Sequence, residues 1–354
     1  MKVTSPFAKT MSTDRRRPAP AFVIAPVIAL AVCFLAKDYQ LFQLTVVFSY
    51  ALSLLGLTML TGCSGQISLG HGAFYAMGAY AAAILMTQFA VPYWLAVPLA
   101  GLVCLVVGYL FGLPALKLEG LYLALATFAL AVVLPLLLKH RALERWTGGV
   151  EGISLDKPNA PWGLPLSPDQ WLYLFALVVT TFGFVVAARL LESDIGRTIV
   201  AIRDNPIASA CLGVDNRRFK ASIFGVSALY TGLGGALSAI AVQFVAPDSF
   251  TMFLSISLLV GVVVGGVGTL SGAIYGAFFI MFVPSAAESL SKAAPWAIYG
   301  VILIGSIFVA PAGVAGLIGG LAERFRSVRK SRENALTRPA PGAAYPAPGR
   351  IPRS

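Results

Sequence analysis

The sequence predicts an all-α polytopic membrane protein with about ten transmembrane helices, one of them re-entrant or broken. Three observations predict it. Of 354 residues, 58% are hydrophobic and only 12% are charged, about half the charge density of a soluble domain. Apolar runs near the roughly 20-residue length of a spanning helix recur along the chain. The basic residues between those runs are biased to one side. This composition excludes an ordinary soluble enzyme, and also a disordered chain, which needs low hydrophobicity and high charge.

The chain opens on a polar tail, 1–20, carrying Lys2, Lys9, Arg15, Arg16 and Arg17. The run 21–36 has the length of a signal-peptide core, but no small-x-small cleavage pattern follows it. The segment ending at Cys33 is a poor lipoprotein-type match because Val32 is large. The run is read as a first span, slightly short. Further runs lie at 41–61, 67–88, 93–113, 118–138, 171–191, 221–245, 253–267, 270–287 and 295–318. The run 67–88 is rich in small residues and has His71 near its start, so it is the candidate broken helix. The stretch 253–287 is split at Gly268-Thr269-Leu270-Ser271-Gly272, where turn-formers cluster. An unbroken helix there would overshoot the bilayer unless steeply tilted.

Charge tests the count. With the N-terminus inside and the spans alternating, twenty of the 26 Lys and Arg fall inside. Lys37, Lys139, Arg141, Arg145, Lys157 and Lys292 fall outside. That is the sense of the positive-inside rule, and merging 253–287 would throw the basic C-terminal tail outside. Both termini are therefore expected in the cytoplasm. The net charge of +11 reads as an orientation signal, and no nucleic-acid partner is expected. The expected domains are a tail 1–20, a membrane domain 21–320 with an external loop 139–170 and a cytoplasmic loop 192–220, and a tail 321–354. That last tail is basic and Pro-rich, cannot bury a core, and is expected to be disordered and drawn to anionic membrane lipid.

The chemistry expected is not catalytic. Proton-coupled pumps keep ionisable groups at membrane depth. Here Lys117, Glu119 and Glu288 sit at span edges and only His71 lies deeper. A neutral facilitator passes this test. No G-x-x-x-x-G-K-[ST] loop, H-E-x-x-H or paired acidic motif occurs. Cys33, Cys63, Cys104 and Cys211 are widely spaced and lack metal-ligand spacing, so no metal, cofactor or catalytic residue is expected. Energy for uphill transport would enter through another subunit.

The loop 192–220 is the most informative segment. Ile195, Ile199 and Ile202 are spaced to share one helix face, with Arg197, Arg203 and Asp204 as polar companions. Asn205-Pro206 breaks or restarts the helix, Ala208 to Leu212 forms a second short one, and Gly213 suits a C-terminal cap. An apolar strip in the cytoplasm needs cover, either from the membrane surface and other loops or from a partner.

This loop, IGRTIVAIRDNPIASACLGVDNRRFK, followed by Gly225, Ser227, Gly232, Gly234, Gly235 and Ala236, resembles the signature of bacterial ABC-importer permeases of the branched-chain amino acid type, most closely the LivM branch. Three stretches agree in order. They are TGCSGQISLGHGAFYAMGAYAAA at 61–83, TGGVEGI at 147–153 and GGVGTLSGAIYGA at 265–277, so the resemblance spans roughly residues 45–320. Thr58 and Ser257 stand where many relatives carry Asn and an acidic residue, which bears on the substrate and not on the fold.

The resemblance implies an ABC-importer permease fold in the bacterial inner membrane. The implied partners are two ATP-binding cassette subunits, a second homologous permease and an external substrate-binding protein. Gly196, Arg197, Ala201, Ile202, Arg203, Asp204, Asn205 and Gly213 match the helix that docks on the ATPase, with the isoleucines filling its groove. Gln66, Ser68 and His71 either line the pathway or hydrogen-bond between helices. Thr147, Gly148 and Gly149 meet the binding protein, shape the pathway mouth or simply turn. Gly261, Gly265, Gly268, Gly272 and Gly276 pack helices, within the subunit or between permeases. Urea, short amides and aromatic acids are alternative substrates; a passive facilitator is the alternative class.

Overall fold

The computed structural model describes residues 21–115, 120–161, 165–290 and, of 300–320, residues 300, 301, 303–305, 308 and 313–320. The tails 1–20 and 321–354, and half of the run 295–318, lie outside the described residues. Seven helices among those described are long and apolar enough to cross a membrane.

The first short helix, α1 (Ala21–Leu35), comes from the run 21–36. The next, α2 (Asp38–Thr58), continues through a π-helical turn, Met59–Cys63. Residues 64–70 are irregular. Only at His71 does α3 (His71–Thr87) begin, 17 residues long. The expected break in the 67–88 run therefore lies at its N-terminal end. Two apolar helices follow, α4 (Tyr93–Ala115) and α5 (Leu121–Leu138). The loop after α5 holds a short helix, α6 (Arg141–Thr147), and a strand β1 (Ile153–Ser154).

The long α7 (Pro168–Glu192) starts for a readable reason: Ser167 caps it, Pro168 sits in the first turn, and Gln170 completes a capping box. Its end bends into α8 (Asp194–Asp204) and α9 (Pro206–Cys211). Then come α10 (Asn216–Val242), β2 (Phe244–Val245), a 3₁₀ turn Pro247–Ser249, α11 (Met252–Gly265) and α12 (Leu270–Leu290). The expected split between 253–267 and 270–287 is present. Gly266 and Gly268 there take φ of 122° and 81°, values that favour glycine. The ribbon β1–β2 is antiparallel, with Ile153 opposite Val245. It ties the loop after α5 to the end of α10.

Two helices form the core. Most of the apolar window of α2 and of α10 is buried, whereas in α4, α5, α7, α11 and α12 much more of that window faces outward. Within lipid, small residues let helices approach closely, and α10 is built on that rule. A methyl on Gly234 would run into Ser49 of α2, one on Gly235 into Tyr75 of α3, and one on Gly232 into Cys104 of α4. Two backbones and one small side chain thus press on one helix. Outward faces such as Leu121, Tyr122 and Leu136 on α5, or Val178 and Phe182 on α7, are apolar and exposed, as a surface meeting lipid requires.

Candidate functional site

The loop 192–220 folds as two short helices joined at Asn205. Its extended backbone ends α8, and its Oδ1 accepts from Ala208 N–H (3.0 Å) to start α9. Past α9, Gly213 has φ 84° and its N–H donates to Ala210 O (3.0 Å), the cap its type suggests. Asp215 accepts from Arg217 and Arg218 N–H (both 3.1 Å) and starts α10. The division into two short helices at Asn205 holds, but the second helix runs Pro206–Cys211, starting two residues before the expected Ala208 and ending before Leu212.

The facing implied by the resemblance does not hold. Ile199 and Ile202 are 4% and 3% exposed. They are buried in this chain, so they do not fill a groove elsewhere. Amphipathic period alone shows that a strip is covered, not by what. Gly196 is buried because its Cα lies on the Leu191 backbone, where a side chain would collide. The outward face carries Arg197, paired with Asp194, together with Ala201, Asp204 and Asn205. The large apolar groups left exposed are half-exposed Ile195, Ile207 (76%) and Leu212 (85%). The sequence reading missed Ile207 and Leu212 as surface anchors. Their signal was two large apolar residues on a Pro-started helix too short to bury both.

Arg203 is spent inside the chain. Its Nη1 donates to Gly62 O (2.7 Å), and its Nε and Nη2 donate to Asp204 Oδ1 (3.0 and 2.9 Å). Its stem lies over Gly65, which has φ 71° and no side chain to obstruct it. Gln66 follows, buried, donating to Ser64 Oγ (2.6 Å) and Lys220 O (3.4 Å).

Deeper, the start of α3 is held by side chains. His71 is buried; Nδ1 meets Ser68 Oγ at 3.0 Å and Nε2 meets Ser227 Oγ of α10 at 2.7 Å. Ser227 lies eleven residues past Asn216, roughly 16 Å along α10 at 1.5 Å per residue. Leu69 N–H donates to Thr127 Oγ1 of α5 (3.0 Å), Gly70 N–H to Ser68 Oγ (3.3 Å), and Gly72 N–H to Ser255 Oγ of α11 (2.9 Å). Irregular backbone at depth must find such partners. Thr127 and Ser255 were not singled out from sequence. An isolated hydroxyl in an apolar helix ordinarily bonds its own preceding turn, as Thr45 does with Leu41 O.

Thr147, Gly148 and Gly149 build a turn. Thr147 Oγ1 donates to Leu138 O (2.8 Å) and Leu143 O (3.0 Å) and accepts from Gly149 N–H (3.2 Å). Gly148, at φ 70°, caps α6 and lies against Gly152, which lies against β2. The glycine strip joins α11 to α12 within this chain. Side chains on Gly265 or Gly276 would collide with the Gly272 and Gly261 backbones respectively. Gly268 instead lies against Gly62.

A bundle of membrane-length helices, two of them interrupted and pinned by buried hydroxyls, has the build of a polytopic membrane protein. The chain belongs to the family described as "branched-chain amino acid transport system / permease component", whose model matches residues 40–312. It is 32% identical, over 80% of its length and 70% of theirs, to the high-affinity branched-chain amino acid transport system permease proteins LivM of Escherichia coli and Salmonella typhimurium. It is 28% identical, over 51% of its length and 53% of the relative's, to the autoinducer 2 import system permease protein LsrC of Photorhabdus laumondii. No solved structure matches it. The relatives are permease subunits, and the chain is a multi-pass membrane permease and not an enzyme.

Proposed function

We propose that the chain is the membrane-spanning subunit of an ATP-driven importer for branched-chain or related amino acids in a bacterial inner membrane. Both termini face the cytoplasm in this reading, and separate ATPase subunits dock on α8–α9. The observation that carries it is the 32% identity to LivM permeases over four-fifths of the chain. The loop geometry supports the docking part. Ile207 and Leu212 project from a capped, preorganised helix pair, while the strip behind them is already covered by this chain. Two ATPases, a second permease and an external binding protein complete the assembly. Selectivity rests largely on that binding protein, and Thr127, Ser227 and Ser255 hold the pathway-side backbone.

Burying an Ile or Leu side chain contributes about 1.5–3 kcal/mol, and about 1.4 kcal/mol is tenfold in affinity. Ile207→Asp and Leu212→Asp are therefore each expected to weaken ATPase capture by at least about tenfold, with the permease still monodisperse. Ile199→Asp is expected instead to destabilise the loop itself. Co-purification with the partner ATPases and uptake of labelled leucine read both effects. Full uptake in cells lacking any ATPase partner would overturn the reading in favour of a facilitator.

A further inference from the structure

Three interruptions of regular helix meet at one place on the inner side of the bundle. The π turn Met59–Cys63 ends α2. Gly65, at φ 71°, opens the irregular stretch before α3. Gly266 and Gly268, at φ 122° and 81°, separate α11 from α12. The backbones of Gly62 and Gly268 touch, so that a methyl on Gly62 would overlap Gly268 Cα and N. Gly313 abuts the same break, against Gly266. One side chain of α8 reaches this place: the Arg203 guanidinium, 18% exposed, on Gly62 O at 2.7 Å.

We propose that Arg203 is the positioning residue that conveys displacement of α8 to the paired breaks, so that a shift of the docking helices moves α2 and the α11–α12 hairpin together. This rests on the importer reading above. The physical argument is one of stiffness. Packed helices move as rods, whereas bends concentrate at π turns and at glycine breaks. A charged hydrogen bond to a backbone carbonyl acts on the chain itself and not on a rotatable side chain. Asp204 holds two other nitrogens of the fork, which fixes the direction of Nη1. Gly65 and Gly62 contribute by lacking side chains: the first admits the Arg203 stem, the second admits Gly268. Arg203 is therefore not part of the surface offered to the ATPase, and Ile207 and Leu212 are not part of this joint.

The test uses the full complex in liposomes, with substrate taken up per ATP hydrolysed as the readout. Arg203→Ala is expected to lower that ratio about tenfold, the equivalent of one charged hydrogen bond, with ATPase capture intact. Arg203→Lys, whose ammonium also donates to a carbonyl, is expected to recover part of it. Gly62→Ala is expected to lower the ratio although it touches no partner. Should Gly62→Ala fail to fold, the Arg203→Ala and Arg203→Lys pair decides alone. An unchanged ratio in Arg203→Ala, or loss of ATPase capture by a folded Arg203→Ala complex, overturns the proposal. A wild-type chain that captures no ATPase overturns the importer reading, and this proposal with it.

Discussion

At the scale of single residues, His71 and its hydroxyl partners show how a membrane protein keeps irregular backbone in place. Each ring nitrogen has a partner, and the backbone N–H groups of Leu69, Gly70 and Gly72 each donate to a hydroxyl, two of them on other helices. Removing one partner leaves a buried donor unsatisfied, which costs about 1–3 kcal/mol. Ser255→Ala strands the Gly72 N–H and is expected to lower the apparent melting temperature of the detergent-solubilised protein. His71→Ala, which strands two serine hydroxyls and leaves a void, is expected to lower it further. Equal melting curves for wild type and both variants would show that these bonds do not hold the turn. Half of this cluster was legible beforehand. His71, Ser68 and Gln66 stood out as polar groups in an apolar, Gly-rich run, but Thr127 and Ser255 were single hydroxyls in long apolar helices, indistinguishable from self-bonded ones.

At the scale of elements, legibility followed length. Helices α2, α4, α5, α7 and α10 begin and end within a few residues of the apolar runs that announced them, because a long run has little choice in lipid but to be helical. The α11–α12 break was readable from its glycines. The ribbon β1–β2 was not, since two-residue strands carry no period, and α6 was hidden by the charge of its loop. In α8 the isoleucine face was seen and its cover left open by the pattern, while the resemblance placed it in a partner's groove: the strip is buried within this chain, where α8 packs against α7 before it and α10 after it. The hairpin of α11 and α12 gives a prediction at this scale. Gly276→Leu places a large side chain against the Gly261 backbone and is expected to abolish the monodisperse species in size-exclusion chromatography. Gly319→Leu, with open space around its Cα, is expected to be neutral in the same assay.

At the scale of the whole molecule, the charge bias makes a sidedness prediction, and the contacts show only that the two ends of α3 meet different loops. Arg203 meets the α2 end at Gly62, while Gln88 at the other end of α3 donates to Arg145 O (3.0 Å) and Trp146 O (3.2 Å) of the loop after α5. Cysteine accessibility tests the orientation without any added reporter. Cys33, Cys63 and Cys104 are buried and Cys211 is exposed on α9. A membrane-impermeant maleimide is therefore expected to label one thiol per chain, in inverted vesicles and not in intact spheroplasts. Labelling of intact spheroplasts would place α9 outside and reverse the topology.

The glycine faces of α10 have a mechanical corollary. A helix pressed by the backbones of α2 and α3 and by the Cys104 side chain of α4 has little clearance for lateral displacement; α2, α3 and α4 are expected to travel with it. In the coupling proposed above, α2 therefore carries α3, α4 and α10 with it as one body; the α11–α12 hairpin follows at the Gly62–Gly268 contact, and α5 lies outside that body, held by Thr127. Amide exchange is expected to be slowest along α10 and to quicken in those outer helices first.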